Sequence, residues 1–333
     1  MDMTLPAGYV ARHYAGAADH PGMTRVRNES NIASGDEEIR TVAAMDATYA
    51  HLDNCDPATD IVIIDHGDEV VAYGRVTWLD PLDDERTYDL LAWGHPEHSV
   101  VLDGLADWLE TRAHALAAEH GFRRYVLVGE AMLRPDGAPR GPFRWAEVLA
   151  GRRMELVRHQ FSMVRTDLTD AVALPLPAGV EVRPVTEAHL RSIWEANADA
   201  FLDHPGGHAS SENRWGEFQD FPYRDTSLWK VAWAWAGGEV VGQVRSFVND
   251  EENEQFGRRR GYTEFISTAR AWRGRGVAGA LLSASIVELR ERGYTEAALG
   301  VMVENPTGAL QLYTRLGFVP YATAGEFRRL VET

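Results

Sequence analysis

The chain has 333 residues, 45% apolar and 25% charged, a balance that excludes disordered and fibrous classes and leaves length for two globular domains. Its 33 Lys and Arg against 50 Asp and Glu give a net charge of −17, a field that repels nucleic acid and anionic membrane surfaces. The lone cysteine, Cys55, excludes an internal disulfide, nothing around it offers a zinc-like ligand set, and no apolar run approaches the roughly 20 residues of a membrane span.

In chain order, the first legible element is GDEVVAYGRV from Gly67, a hairpin turn feeding a strand. A strand-like run then reaches His95 and Pro96 and gives way to a helix that stops at Gly121, before a further short strand. RRMELVRHQFSMVRTDL, residues 152–168, alternates like a pair of terminal strands, and residues 171–178, with Pro175 and Pro177, read as a linker.

Beyond the linker the same signals return. GGEVVGQVRS from Gly237 repeats the first turn and strand, with Glu239, Val240 and Val241 lying 170 positions after Glu69, Val70 and Val71. RGYTEAALG from Arg292 answers HGFRRYVLV from His120 at an offset of 172. Self-similarity at a nearly constant offset implies two copies of one unit, here residues 1–170 and 179–333 around a linker at 171–178.

In the second copy the patterns predict a strand from Val180, a helix from about Glu187, a short helix near Glu212, and strands near Leu228, Val240 and Tyr262. A helix from Gly276, a strand near Ala297, a helix from about Pro306 and a terminal hairpin complete it. The fold class is α/β, an α+β mixed sheet with helices on its faces.

One junction carries chemistry. YTEFISTAR alternates as a strand, with Glu264, Ile266 and Thr268 expected on one face and Thr263, Phe265 and Ser267 on the other. The helix that follows the glycines presents Ala278, Leu281, Leu282, Ser285 and Leu289 on one side and stops at Gly293. A strand entering a glycine-rich turn and then a helix aims free backbone N–H groups and the positive end of the helix dipole at one point, a place for an anion. Gly274 and Gly276 allow close backbone approach, and Arg273 and Arg275 add charge, so Arg273, Gly274, Arg275, Gly276, Val277, Ala278 and Gly279 read as a phosphate cradle. No Gly-Lys-Ser/Thr follows and the spacing is not G-x-G-x-x-G; what remains is R-x-x-G-x-A, Arg273, Gly276 and Ala278.

That motif in this setting resembles the pyrophosphate-binding loop of the GNAT family of acyl-CoA N-acyltransferases. VMVENPTGALQLYTRLGF, Val301 to Phe318, resembles the family's later block. The likeness covers roughly Val180 to Val331, and the first half in outline, as in tandem GNAT proteins. It implies acetyl-CoA as acyl donor, direct attack by an amine, and the backbone of Ile266, Ser267 and Thr268 running beside the pantetheine arm. Tyr313 then gives its proton to the departing sulfur, unless it is a packed aromatic beside Leu310 and Leu316. Asn305 opens a helix and also suits an N-cap. Glu264, an acid inside an apolar strand, is the candidate general base, with an arginine's structural partner as its other reading. A tandem member of the family looks similar in placing an acid on this strand, but about one alternation further upstream, so the correspondence is not strict. Arg258, Arg259 and Arg260 have the charge to reach the CoA 3′-phosphate, although a solvated face is the favoured reading.

FLDHPGGHASSENRWGEF supplies Asp203, His204, His208, Glu212 and Trp215 to an acceptor pocket suited to a cationic small-molecule amine. In the first half Gly104 stands alone, Val100, Val101 and Leu102 are bulky and Asp103 has the wrong charge for pyrophosphate, so this half is expected to have lost catalysis and to complete the cleft or act as a built-in dimer partner. The expectation is a cytoplasmic acetyl-CoA-dependent N-acetyltransferase, monomer or homodimer, with no metal, nucleic acid or membrane partner. Protein N-terminal acetylation and a non-catalytic CoA-binding sensor are the other readings.

Overall fold

Four consecutive apolar residues, Ile61 to Ile64, are wholly buried, and alternate ones serve different layers. The computed structural model describes residues 3–82, 84–134, 144–204, 206–305 and 307–332. Its first half contains β1 (Tyr9–His13), α1 (His20–Ser34), α2 (Val42–Ala50), β2 (Ile61–His66), β3 (Glu69–Leu79), β4 (Thr87–Gly94), α3 (Leu102–Glu119), β5 (Arg124–Leu133), α4 (Trp145–Gly151) and β6 (Glu155–Arg165). The second contains β7 (Val180–Val182), α5 (Leu190–Phe201), α6 (Glu212–Gln219), β8 (Lys230–Ala234), β9 (Val240–Phe247), α7 (Asp250–Phe256), β10 (Arg260–Thr268), α8 (Val277–Glu291), β11 (Glu296–Met302), α9 (Ala309–Arg315) and β12 (Val319–Glu332).

Two compact units result: Met1–Gln160 with Ser211–Glu217 and Ala322–Thr333, and Phe161–Ser210 with Phe218–Tyr321. In the first unit the strand order is β1-β2-β3-β4-β5-β12. Ile61 and Ile63 pack with Met23 and Val26 of α1 and Met45 of α2, whereas Val62 and Ile64 pack with Leu105 and Leu109 of α3. Neighbouring strands are antiparallel except β4 and β5, which run parallel over Thr87–Asp89 against Val126–Val128.

The second unit repeats the plan with the order β7-β8-β9-β10-β11. Its parallel pair, β10 with β11, spans Arg260–Tyr262 against Glu296–Ala298. Helix α8 lies so close to the sheet that a Cβ on Gly242 would meet Val277 Cγ1 at 2.7 Å, and one on Gly261 would meet Leu289 Cδ2 at 2.4 Å. The two units thus have matching strand plans, each with one parallel pair, as the duplication inferred from sequence implies.

Three details differ from the sequence reading. The chain ends in one 14-residue strand, β12, paired antiparallel with β5 from Thr323–Leu133 to Glu332–Arg124, and not in a hairpin; its alternation was legible but the turn inferred within it is extended backbone. Helix α7 was not foreseen; Asn249 caps it by accepting the Glu252 N–H. Helix α9 starts at Ala309 after Gly308, whose φ is 77°, and Pro306 lies outside the described residues. Residues 171–178 are strapped along α8: the Leu174 N–H donates to Ser283 Oγ at 2.9 Å and Arg290 Nη1 to the Ala171 carbonyl at 2.6 Å. Among the described residues no helix is long and apolar enough to cross a membrane, and no group of three His, Cys, Asp or Glu is placed to hold a metal.

Candidate active site

β10 is bulged. Glu264 faces Arg245 on β9 and Ser267 faces Gln243, so β10 carries one residue more than β9 across this span. Phe265 takes up the extra length with φ of 51°, a left-handed conformation costly for an aromatic residue. The bulge reverses the alternation: Glu264 shares a face with Ser267, while Thr268, opposite Gly242, falls with Thr263. The expected grouping of Glu264, Ile266 and Thr268 is thereby corrected.

The register of β10 with β11 ends at Tyr262–Ala298, and the two strands then part. Glu264 bridges the opening, its Oε1 accepting the Gly300 N–H at 2.8 Å. Burial pushes the carboxyl up to about 8, against the opposing effect of that hydrogen bond. Beyond Tyr262 the β11-facing edge of β10, which includes Ile266, Ser267 and Thr268, continues past the last pair with β11.

Tyr313 of α9 is 5% exposed, its ring edge-on to Phe318 with centroids 6.4 Å apart. Burial first, and the charge of Glu264 second, raise its phenol above the ordinary value. The two candidate catalytic groups therefore lie in one electrostatic field.

At the start of α8, Gly274 has φ of 73° and Gly276, the N-cap, has φ of 87° and no side-chain cap. Ala280 is the first N–H to reach back to Gly276 O, at 3.0 Å, which leaves those of Val277, Ala278 and Gly279 without intrahelical acceptors. A Cβ at Gly274 or Gly276 would meet nothing within 4 Å, so the turn opens outward. These donors and the positive helix end fit a pyrophosphate.

Residues 190–318 match the model of the acetyltransferase (GNAT) family. A mycothiol acetyltransferase of Salinispora arenicola (strain CNS-205) is 26% identical over 303 residues, covering 87% of this chain and 80% of that protein. The crystal structure of a GCN5-related N-acetyltransferase from Sphaerobacter thermophilus covers 99% of this chain and 98% of its own at 23% identity, with a TM-score of 0.66. A tandem GNAT protein from the clavulanic acid biosynthesis pathway covers 97% and 98% at 14% identity, with a TM-score of 0.62. Residues 190–318 are thus similar to the acetyltransferase (GNAT) family, and the whole chain shares the fold of the two solved proteins.

Within the glycine turn before α8 the two arginines differ. Arg273 turns to α5, donating from Nη1 to Asp203 at 2.8 Å, from Nη2 to the Ala200 carbonyl at 2.9 Å and from Nε to the Thr268 carbonyl at 3.3 Å. Arg275 is exposed, 5.0 Å from the Trp272 ring centroid. Asn305 does not cap α9; its Oδ1 accepts the N–H and hydroxyl of Thr307 at 2.8 and 2.6 Å, closing a turn, because the helix begins four residues later.

Two further expectations change. Arg258 is paired at 2.6 Å with the buried Glu252, and Arg260, itself buried, with Glu296 at 2.9 Å, so this basic run is largely structural and not a solvated face. Of the acceptor-loop residues, Asp203 is held by Arg270 and Arg273 with its carboxyl at about 2. His204 lies 4.5 Å from the Phe201 ring, lowered by desolvation, and His208 Nδ1 contacts the Gly206 carbonyl at 3.2 Å. Glu212 and Trp215 belong with residues 211–217 to the first unit, where Ser211 Oγ donates to Asp53 at 2.8 Å.

In the first unit the helix start that matches this turn is covered. A Cβ on Gly104 would meet the Thr4 carbonyl oxygen at 2.6 Å, so Gly104 makes room for the chain's own N-terminal segment. Sequence reasoning missed Arg245, 6% exposed on β9, with Phe265, Phe218 and Trp229 ring centroids 3.9, 4.9 and 5.7 Å away. Burial lowers its guanidinium to about 9. The signal was there: a charge in a strand otherwise buried to its last residue.

Proposed function

We propose that the second unit transfers an acetyl group from acetyl-CoA to the amine of a small molecule, with Glu264 as general base and Tyr313 as general acid. The N–H groups of Val277, Ala278 and Gly279, with Arg275, hold the pyrophosphate, and the open edge of β10 at Ile266–Thr268 holds the pantetheine arm. Acetyl-CoA, when bound, supplies the activated acyl group. The observation that carries the reading is the Glu264 carboxyl, raised to about 8 where β10 and β11 part, with the Tyr313 phenol in its field.

Glu264 takes a proton from the incoming ammonium, giving the neutral nitrogen that attack requires. Tyr313 holds its phenolic proton at Oη for the leaving sulfur, since its raised value keeps it protonated throughout the working range. Two protons leave the nitrogen in a turnover: the first passes through Glu264 to solvent as the ammonium becomes an amine, and the second, lost as the tetrahedral adduct collapses, returns by way of Glu264 to replace the one Tyr313 gives to the sulfur. The test is release of free CoA from acetyl-CoA with a panel of small amines, mycothiol-related amines first. Amine-dependent release by the wild type and at least a hundredfold less by Glu264→Gln, with unchanged acetyl-CoA affinity, is expected. Equal rates in the two proteins would remove Glu264 from the mechanism.

A further inference from the structure

The first unit carries an arginine at the strand position that matches Arg245. Arg75 on β3 precedes Arg245 by 170 residues, the offset of the internal repeat. Its Nε and Nη1 are buried without a hydrogen-bond partner, and its guanidinium lies 5.4 Å from the Tyr49 ring centroid. Whereas three aromatic rings lie over Arg245, the ring over Arg75 is that of Tyr49, and the neighbouring buried atoms are polar. The hydroxyls of Tyr49, Tyr73 and Thr24 and Nε of Arg27 are likewise buried without partners.

These groups converge. Tyr73 is wholly buried and stacks on Trp93 with centroids 4.8 Å apart, and Arg27 lies 4.9 Å from the same Trp93 ring. Both phenols lie within the fields of Arg27, Arg40 and Arg75. Met45, Ile61 and Ile63 pack against Tyr73 beneath. The carboxylate bonded here is Glu38, at 3.2 Å from Arg27 and 2.9 Å from Arg40. Desolvation, which pushes its carboxyl up, is outweighed by those two arginines, and it stays ionised. Glu38 is thus taken up by Arg27 and Arg40, and Arg75 has no part in that pairing.

Two guanidinium N–H groups buried without acceptors, beside phenols likewise without them, are a net cost to the fold unless something supplies oxygen acceptors. The donors are guanidinium N–H groups and two O–H groups, which between them can take the two oxygens of a carboxylate, and the neighbouring flat rings are those of Tyr49, Tyr73 and Trp93. We propose that the first unit binds a small carboxylate with a flat apolar body, its oxygens held by Arg75, Tyr49 and Tyr73. The site is separate from the acetyl-transfer chemistry of the second unit and stands whether or not that reading does.

The full chain is titrated calorimetrically with benzoate, inorganic phosphate and benzyl alcohol, using wild type, Arg75→Met, Tyr49→Phe and Arg245→Met, and each protein's melting temperature is measured without ligand. Benzoate is expected to bind saturably to wild type and to Arg245→Met, at least tenfold tighter than phosphate or benzyl alcohol. Arg75→Met is expected to weaken benzoate at least tenfold while melting at or above the wild-type temperature, because it removes an uncompensated charge. No saturable benzoate binding, equal binding in Arg75→Met, or loss in Arg245→Met alone would overturn the proposal, and phosphate binding as tight as benzoate would overturn the carboxylate class. If Arg75→Met melts lower, Tyr49→Phe decides: a threefold or greater loss of benzoate affinity supports the site, and unchanged affinity overturns it.

Discussion

Glu264 on β10 and Gly300 on β11 are joined by a 2.8 Å hydrogen bond from backbone N–H to carboxylate, two residues beyond the last parallel pair of the strands that carry them. The carboxylate thus sits where the sheet opens, desolvated by the surrounding protein and steadied by one donor. A base with a carboxyl raised to about 8 is ionised in only part of the population at neutral pH. The rate with a saturating amine should therefore rise with pH and level off above about 8, near the working range that favours general bases. Glu264→Gln should lower kcat by about 10²- to 10⁴-fold and abolish that rise, while the KM for acetyl-CoA stays unchanged. Initial rates between pH 6 and 9.5 for both proteins check this.

The same group makes a stability prediction. Its folded value, about 8, lies above the ordinary 4.5, so its contribution to stability is fully present below about pH 4.5 and is lost as pH rises through 8. Glu264→Gln should melt higher than wild type at pH 9 and alike at pH 4.5. Calorimetric melts at the two pH values decide; a variant less stable at pH 9 would mean that the ionised carboxylate is a structural partner.

Tyr313→Phe removes one oxygen from a ring that is 5% exposed and packed edge-on to Phe318, so the fold should be retained. Loss of the proton donor should lower kcat by about 10²-fold or more, and the loss should shrink with acyl donors whose thiolate leaves more readily. Equal loss across donors would make Tyr313 a packing residue.

The parts of this molecule that local physics dictates were legible in the sequence, and the parts set by tertiary geometry were not. The glycine turn before α8 could be read because φ values of 73° and 87° at Gly274 and Gly276 require glycine. The repeat could be read because the Gly67 and Gly237 turns and the Gly121 and Gly293 helix stops are written in residue type. The bulge could not: its left-handed residue is Phe265, which no local rule places there, and it reversed the faces assigned to β10. Nor could the partners of Asp203, since Arg270 and Arg273 lie 67 and 70 residues away. Arg75 and Arg245 stood in view as charges within apolar strands in both copies of the repeat, but that their Nε groups are buried without a hydrogen-bond partner is set by tertiary packing, which a sequence does not record.

The two loop arginines should separate experimentally. Arg273 bonds α5 through Asp203 and the Ala200 carbonyl, and its contacts lie away from the N–H groups at the start of α8. Arg275 has no such anchor and is exposed beside that start. Arg275→Ala should weaken acetyl-CoA about tenfold, the scale of one hydrogen bond to a charged group, with less salt dependence than wild type. Arg273→Ala should lower the melting temperature and change acetyl-CoA affinity far less. Gly276→Ala should do more than either, because it forces a side chain into left-handed backbone at about 1–2 kcal/mol in the turn that presents the donors. Calorimetric titration of the three variants at low and high salt tests the order; an Arg273→Ala variant that melts like wild type yet loses acetyl-CoA would show that its side chain leaves Asp203 to hold the ligand.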